Sequence, residues 1–383
     1  MHRKPLFNPS LEVSDVFRKF VLSLPRLSRD KRRIVSAILN CRSASLGYHV
    51  RKCSECSHSE QSYNSCRNRH CPKCQGSVAA KWGEARASEL LPTSYIHTVF
   101  TLPSELRTVS YHNKRVVFDI LFRAVSETML EIGRDKRHLG GELGFFAVLH
   151  TWNQKLEFHP HIHVVCPAGG LAPCGTHWVS SKNDKVFLPV RVLSSLYLKK
   201  LVYYLRKAYR DGKLPFGTSG NFSKLLAECW NKKAVVYSKR PFGGPSQVVK
   251  YLANYTHRIA ISNHRLQKLT DTHVSFRFRD SRKNNKRNTL TLPIQSFSER
   301  FLMHILPKGF TRIRHFGFYA NSNKKRLLPI IQQILKKVVT ITHSLTITQF
   351  VPRCPVCSKG VLLLETVWKP PRLHNTASYN VAA

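Results

Sequence analysis

The chain has 383 residues, 42% of them hydrophobic, enough for a substantial core and for two or three domains rather than one. Lysine and arginine number 62 against 21 acidic residues, and the resulting formal net charge of +41 points to a polyanionic partner, most simply DNA or RNA. No apolar run approaches the roughly 20 residues that span a bilayer, and the first residues lack a secretory signal's apolar segment. We therefore expect a cytoplasmic protein with no membrane partner, in which clustered cysteines bind metal rather than pair as disulfides.

Residues from about 10 to 45 read as helical, with Val13, Val16, Phe17, Phe20 and Val21 on one stripe and Ile34, Ile38 and Leu39 on a second. A cysteine cluster follows. Cys53-Ser-Glu-Cys56 and Cys71-Pro-Lys-Cys74 have nearly the spacing of a four-thiolate zinc site, in which two tight turns aim four sulfurs at one tetrahedral ion. Bound Zn²⁺ would supply folding energy to a segment poor in apolar residues. Cys41, Cys66, His58 and His70 are near enough to replace a ligand or complete a second site and rank below those four, while Arg67, Arg69 and Lys73 add a DNA-contacting character. A purely structural knuckle is the plainer reading, and the two roles are compatible.

From about residue 92 the pattern changes. Tyr95 to Leu102 alternates like a strand, a helix spans roughly 111 to 131, and Phe145 to Thr151 is a second strand. A short connection through Trp152 leads into Phe158-His-Pro-His-Ile-His-Val-Val165, so these two strands are expected to be antiparallel neighbours. On a strand, His161, His163 and Val165 share one face while Ile162, Val164 and Cys166 face a core, and two neutral imidazoles there can converge on one divalent cation. In a chain with 19 histidines the bland reading of such a pair is hydrogen bonding alone.

A second element changes the balance. Residues 191 to 209 have helical spacing, and after the breakers Gly243, Gly244 and Pro245, Ser246 caps another amphipathic helix running to Arg258. Tyr251 and Tyr255, four residues apart, project from one face of it. Alone they read as core aromatics; beside a histidine-bound metal they specify a nuclease that attacks phosphodiesters with a phenolate. A free phenol has a pKa of about 10, so it needs a nearby cation or base to act at neutral pH. The cation itself, Mg²⁺ or Mn²⁺, would polarise and orient the scissile phosphate.

Further on, Val274 to Arg279 and Thr289 to Pro293 bracket a basic loop, a hairpin with a basic tip, and Lys324, Lys325 and Arg326 form another basic cluster. Phe276, Phe278 and Trp152 are candidates for base stacking, though each singly reads better as core. Cys354-Pro-Val-Cys357 is a lone pair, half a metal site or simply a turn, and the last dozen residues read as disordered. The order of strands and helices indicates an α+β protein with helices packed on a mainly antiparallel sheet. We divide it into an N-terminal helical and zinc-binding part (1–90), a nuclease part (91–270) and a basic C-terminal region (271–383). No G-x-x-x-x-G-K-[ST] loop is present, so single strands would be exposed by hairpins, supercoiling or a host helicase.

These motifs together resemble the IS-ninety-one family of transposases, the two-tyrosine HUH enzymes of rolling-circle insertion sequences. The resemblance is carried by Ser65-Cys-Arg-Asn-Arg-His-Cys-Pro-Lys-Cys74, Phe100-Thr-Leu-Pro103, Leu149-His-Thr-Trp152, His159-Pro-His-Ile-His163, Tyr251 to Ala260 and Leu306 to His315. It implies an HUH endonuclease domain with a five-stranded antiparallel sheet flanked by helices. It also implies His161 and His163 as metal ligands and Tyr251 and Tyr255 as paired nucleophiles that cleave single-stranded DNA at element ends and target. The third ligand is left open among Gln154, His150, His257 and Asn254. An HUH replication initiator or relaxase would share this chemistry, and a non-enzymatic zinc-dependent DNA-binding regulator would share the charge and the cysteines.

Overall fold

The computed structural model describes residues 11–21, 27–181, 188–231, 236–239, 259–280, 284–336 and 353–370. The expected tyrosine helix with Tyr251 and Tyr255, part of the basic hairpin tip and the last dozen residues lie outside them.

The chain opens with α1 (Val13–Val21) and α2 (Arg29–Leu39). The i, i+3, i+4, i+7 spacing of Val13, Val16, Phe17 and Phe20 buries one face of α1, and Ile34, Val35 and Ile38 do the same for α2. After β1 (Tyr48–Cys53) and β2 (Ser59–Tyr63) comes α3 (Pro72–Ala87), whose Pro72 sits in the first turn, where a missing N–H costs nothing. The central region runs β3 (Tyr95–Thr101), α4 (Arg107–His112), α5 (Lys114–Arg134), β4 (Gly144–Trp152) and β5 (Phe158–Pro167). Then follow β6 (Gly169–Leu171), β7 (Trp178–Ser180), α6 (Val190–Arg210), α7 (Ser219–Asn231) and β8 (Val236–Lys239). The remainder is β9 (Leu266–Leu269), β10 (His273–Asp280), β11 (Lys286–Pro293), α8 (Ile294–Met303), β12 (Ile313–Gly317), α9 (Asn321–Lys336) and β13 (Leu362–Trp368).

The implied five-stranded antiparallel sheet is present, in the order β12-β4-β5-β3-β8. The expected β4 and β5 are direct neighbours, with His150 opposite His161 and Val148 opposite His163. Alternation gives the sheet two unlike faces. Ile96, Phe100, Phe145, Ala147, Leu149, Ile162, Val164 and Cys166 pack against α5 and α6 in the main core. On the opposite face, Phe146 and Val165 join Phe318, Tyr319 and the α9 residues Leu328, Ile331 and Leu335 in a smaller core, leaving the histidines beyond them. At Gly317 (φ +61°) a Cβ would stand 1.6 Å from the Leu143 carbonyl oxygen, so only glycine lets β12 close onto β4 here.

A third apolar cluster joins α1 and α2 to β10, β11 and α8, with Phe17 edge-on to Phe301 at 5.3 Å and Phe276 against Phe297 at 5.8 Å. The expected hairpin is β10 and β11, paired from His273 opposite Pro293 to Asp280 opposite Lys286. Phe276 and Phe278 are buried in it and so are core residues, unavailable for base stacking. The linear division at 90 and 270 crosses these packing units, because β12 lies in the five-stranded sheet and β13 pairs with β1. No described helix is long and apolar enough to cross a membrane.

Candidate functional site

Three imidazoles meet on the smaller-core face of the five-stranded sheet. β5 presents His161 and His163 on that face, and the cross-strand position opposite His161 is His150 of β4. The ring nitrogens these three offer lie within 4.8 Å of one another. Of the four candidates for the third ligand, His150 is the one that joins this group; the backbone carbonyl oxygen of Gln154 accepts from Arg265, and Asn254 and His257 lie outside the described residues. A bulge between His150 and Trp152 turns the end of β4 so that the indole stacks on the His150 ring, centroids 4.6 Å apart.

The outer nitrogens of the cluster are engaged. His161 donates from Nδ1 to the His159 carbonyl oxygen at 2.6 Å, leaving Nε2 with its lone pair for a cation. His163 Nδ1 lies 2.8 Å from Nε2 of His97, whose ring is stacked parallel to it at 5.0 Å. His97 was missed in the sequence. Its signal is visible only once β3 is paired: Val99 lies opposite His163, so His97, two residues away, shares that face. Burial pulls His161 down to about 4 from the usual 6.5. It is therefore neutral at physiological pH, the form in which imidazole binds metal. The donor set, ring nitrogens from three histidines, with the second nitrogen of His161 tied to a carbonyl and that of His163 to another imidazole, fits a divalent cation.

The cysteines do not form the single four-thiolate site expected from Cys53, Cys56, Cys71 and Cys74. Tertiary structure divides them. Cys71 and Cys74 begin α3 and meet Cys41, just beyond α2, and Cys66, with Cys74 Sγ 3.5 Å from Cys41 and 3.6 Å from Cys66. Cys53 and Cys56 lie instead with Cys354 and Cys357. The reason is that β1 carries Cys53 away to its partner strand β13, while α2 delivers Cys41 to the start of α3. His58 and His70 belong to neither group.

In the first group the sulfurs are within hydrogen-bonding distance of one another. Cys41 is pulled down to about 7, chiefly by its hydrogen bond with Cys66, and Cys74 is pulled down chiefly by Cys41, while Cys66 and Cys71 are pushed up chiefly by Cys41. Four thiolates this close require a cation between them. Zn–S bonds of about 2.3 Å in a tetrahedron give sulfur separations of about 3.8 Å, so the set fits Zn²⁺. The N-terminus of α3, where Cys71 and Cys74 sit, adds favourable partial charge for thiolates.

Among the described residues, a cleft of about 500 Å³ lies away from the histidines. It lies between α2, residues 66–70 and residues 305–309, and is lined by Arg33, Arg67, Arg69 and Lys308 with Asp30 as the only acid. Arg69 is structural, donating to the carbonyls of Phe310 at 2.6 Å and Pro307 at 3.0 Å, whereas Arg33, Arg67 and Lys308 are exposed.

Residues 144–326 match the family model "Putative transposase", and residues 13–102 match the model "Transposase zinc-binding domain". The chain is 41% identical over 393 residues to "Putative transposase y4qJ" of Sinorhizobium fredii (strain NBRC 101917 / NGR234), covering 96% of this chain and 98% of the relative. It is 27% identical over 311 residues to the transposase for insertion sequence element IS801 of Pseudomonas savastanoi pv. phaseolicola, covering 79% and 73%. Among solved structures, the conjugative relaxase TrwC in a metal-bound complex with oriT DNA is similar over 42% of this chain and 71% of that one, at 14% identity and a TM-score of 0.24.

Proposed function

The chain belongs to the IS91-type transposase family, with that family's zinc-binding domain at its N-terminus, and on that premise we propose that it cleaves and rejoins single-stranded DNA through tyrosine at the His150, His161 and His163 site. The observation that carries this reading is the convergence of three imidazoles on one sheet face. Mg²⁺ or Mn²⁺ bound there would supply charge to the scissile phosphate. His161 and His163 hold the ligand geometry through the His159 carbonyl and His97, and the Trp152 ring holds His150.

Tyr251 and Tyr255 are the proposed nucleophiles. The phenol oxygen of one forms a bond to phosphorus as the bond from phosphorus to the 3′ oxygen breaks, and the proton lost by the phenol is balanced by the one gained at the 3′ oxygen. The products are a 5′-phosphotyrosyl protein and a free 3′-hydroxyl. No water is consumed, so the reverse reaction joins the held end to a new 3′-hydroxyl at the target. A second tyrosine allows one end to be held while another is cut. Cys41, Cys66, Cys71 and Cys74 hold structural Zn²⁺ in this reading, and the basic cleft tracks the DNA backbone. Strand opening is left to DNA hairpins, supercoiling or a host helicase.

Incubation with Mn²⁺ and a labelled single-stranded oligonucleotide should yield an adduct that survives denaturation. His161→Ala and chelation of the cation should abolish it, as should the double variant Tyr251→Phe/Tyr255→Phe. An adduct that persists in the double tyrosine variant would overturn the assignment of the nucleophiles, and no adduct from the wild-type protein would favour a DNA-binding regulator.

A further inference from the structure

We propose that Cys53, Cys56, Cys354 and Cys357 form a second four-thiolate zinc site, which fastens the C-terminal strand β13 to the N-terminal module. The four sulfurs lie within 4.8 Å of one another, with Cys53 3.6 Å from Cys357 and Cys56 3.7 Å from Cys354. Those separations match the edges of about 3.8 Å of a zinc–thiolate tetrahedron. An iron–sulfur cluster, which places its own iron and sulfide between the thiolates, would hold them further apart.

Each cysteine pair occupies a tight turn. Cys53 Sγ accepts the Glu55 amide at 3.3 Å, and Cys357 Sγ accepts the Gly360 amide at 3.3 Å, bonds that favour thiolate. Gly360 is demanded by the site, because a Cβ there would stand 2.4 Å from Cys53 Sγ. The turns are joined by hydrogen bonds from Ser54 N to the Val361 carbonyl at 3.0 Å and from Val361 N to Ser54 Oγ at 3.1 Å. A chain separation of 298 residues lies between Cys56 and Cys354, so the site joins segments near the two ends of the described chain.

The module has a physical need for such a link. Its sheet of β13, β1 and β2 has three short strands, and among the described residues the apolar cluster beneath the cysteine turns contains only Leu362 besides the four cysteines. Leu363, Leu364, Val367 and Trp368 of β13 are exposed. A small sheet without a buried apolar layer needs a staple.

Zinc per chain, measured by elemental mass spectrometry on the full-length protein purified under reducing conditions, should be two. Cys354→Ser/Cys357→Ser should lower it to one and speed proteolysis between residues 353 and 370. Cys41→Ser/Cys66→Ser should also lower it to one, without that proteolysis. Should the serine variants fail to fold, alkylation of the wild-type protein read peptide by peptide decides. Protection of Cys53, Cys56, Cys354 and Cys357 that is lost on chelation supports the site. Alkylation of those four while zinc remains bound, retention of two zinc ions in Cys354→Ser/Cys357→Ser, or the visible absorbance of an iron–sulfur cluster would overturn it.

Discussion

His97 acts, in our reading, through another residue. Its Nε2 faces His163 Nδ1 at 2.8 Å and fixes which nitrogen of His163 is turned toward the cluster. Losing such a supporting partner weakens metal binding by roughly 10–100-fold. His97→Phe, which retains a ring of similar breadth, should therefore reduce Mn²⁺ affinity by that factor in a titration while leaving far-ultraviolet circular dichroism unchanged. Unaltered affinity would show that the contact is merely structural. His304 tests burial instead. Its Nε2 donates to the Leu156 carbonyl at 3.2 Å and its Nδ1 lies 3.2 Å from Thr151 Oγ1. Burial, with Lys114 adding to it, lowers this histidine to about 3. The unfolded chain takes up that proton below about 6.5 and the folded chain only below about 3, so the stability linked to His304 is present above 6.5 and is lost as pH falls toward 3. His304→Gln should flatten the pH dependence of denaturant unfolding in that window by up to about 1.4 kcal/mol per pH unit.

At the scale of elements, the β4–β5 turn shows how a local sequence sets the site. Asn153 Oδ1 accepts the amides of Lys155 at 2.9 Å and Glu157 at 3.0 Å, and this turn holds Leu156 at φ +62° with its side chain fully buried. Leucine in the left-handed region is strained, so the buried side chain must offset that cost. Leu156→Ala should lower unfolding stability by roughly 2–5 kcal/mol. Leu156→Gly should be nearer to wild type than the cavity alone implies, since it releases the backbone strain, and equal losses in the two variants would argue against strain. The hairpin makes the complementary point. Phe276 alternates with exposed arginines along β10 and packs on Phe297, so Phe276→Ala should cost about 3–5 kcal/mol of stability. A variant of wild-type stability with impaired oligonucleotide binding would restore a stacking role.

Across the whole molecule, a net charge of +41 favours a polyanion, and the number of phosphates those cations neutralise sets how DNA affinity responds to salt. Each phosphate neutralised on a single strand contributes a slope of about −0.7 to the dependence of log affinity on log salt. Arg33→Ala/Lys308→Ala removes two exposed cations from the basic cleft and should make that slope shallower by roughly 1.4 in fluorescence anisotropy titrations. An unchanged slope would place the strand elsewhere on the surface.

Much of this was legible in the amino-acid order, because periodicity is local. The 3.6-residue stripe of α1 and the alternation of β5 state which side chains go inward before any partner is known, and the His161, Ile162, His163 alternation divides between the two faces of the sheet as expected. The expected β4–β5 pairing and hairpin were equally local, joined by short connections. What the sequence could not settle was which distant groups meet. Two CxxC turns near each other suggested one tetrahedron, but sulfur–sulfur contact depends on where strands and helices carry the turns, and pairing of β1 with β13 sends Cys53 and Cys56 to Cys354 and Cys357. His150 and His97 likewise acquire their places only through the register of β4 and β3 against β5. Secondary structure follows from neighbours along the chain, whereas a metal site is a coincidence of atoms in space, and only the packed sheet creates it.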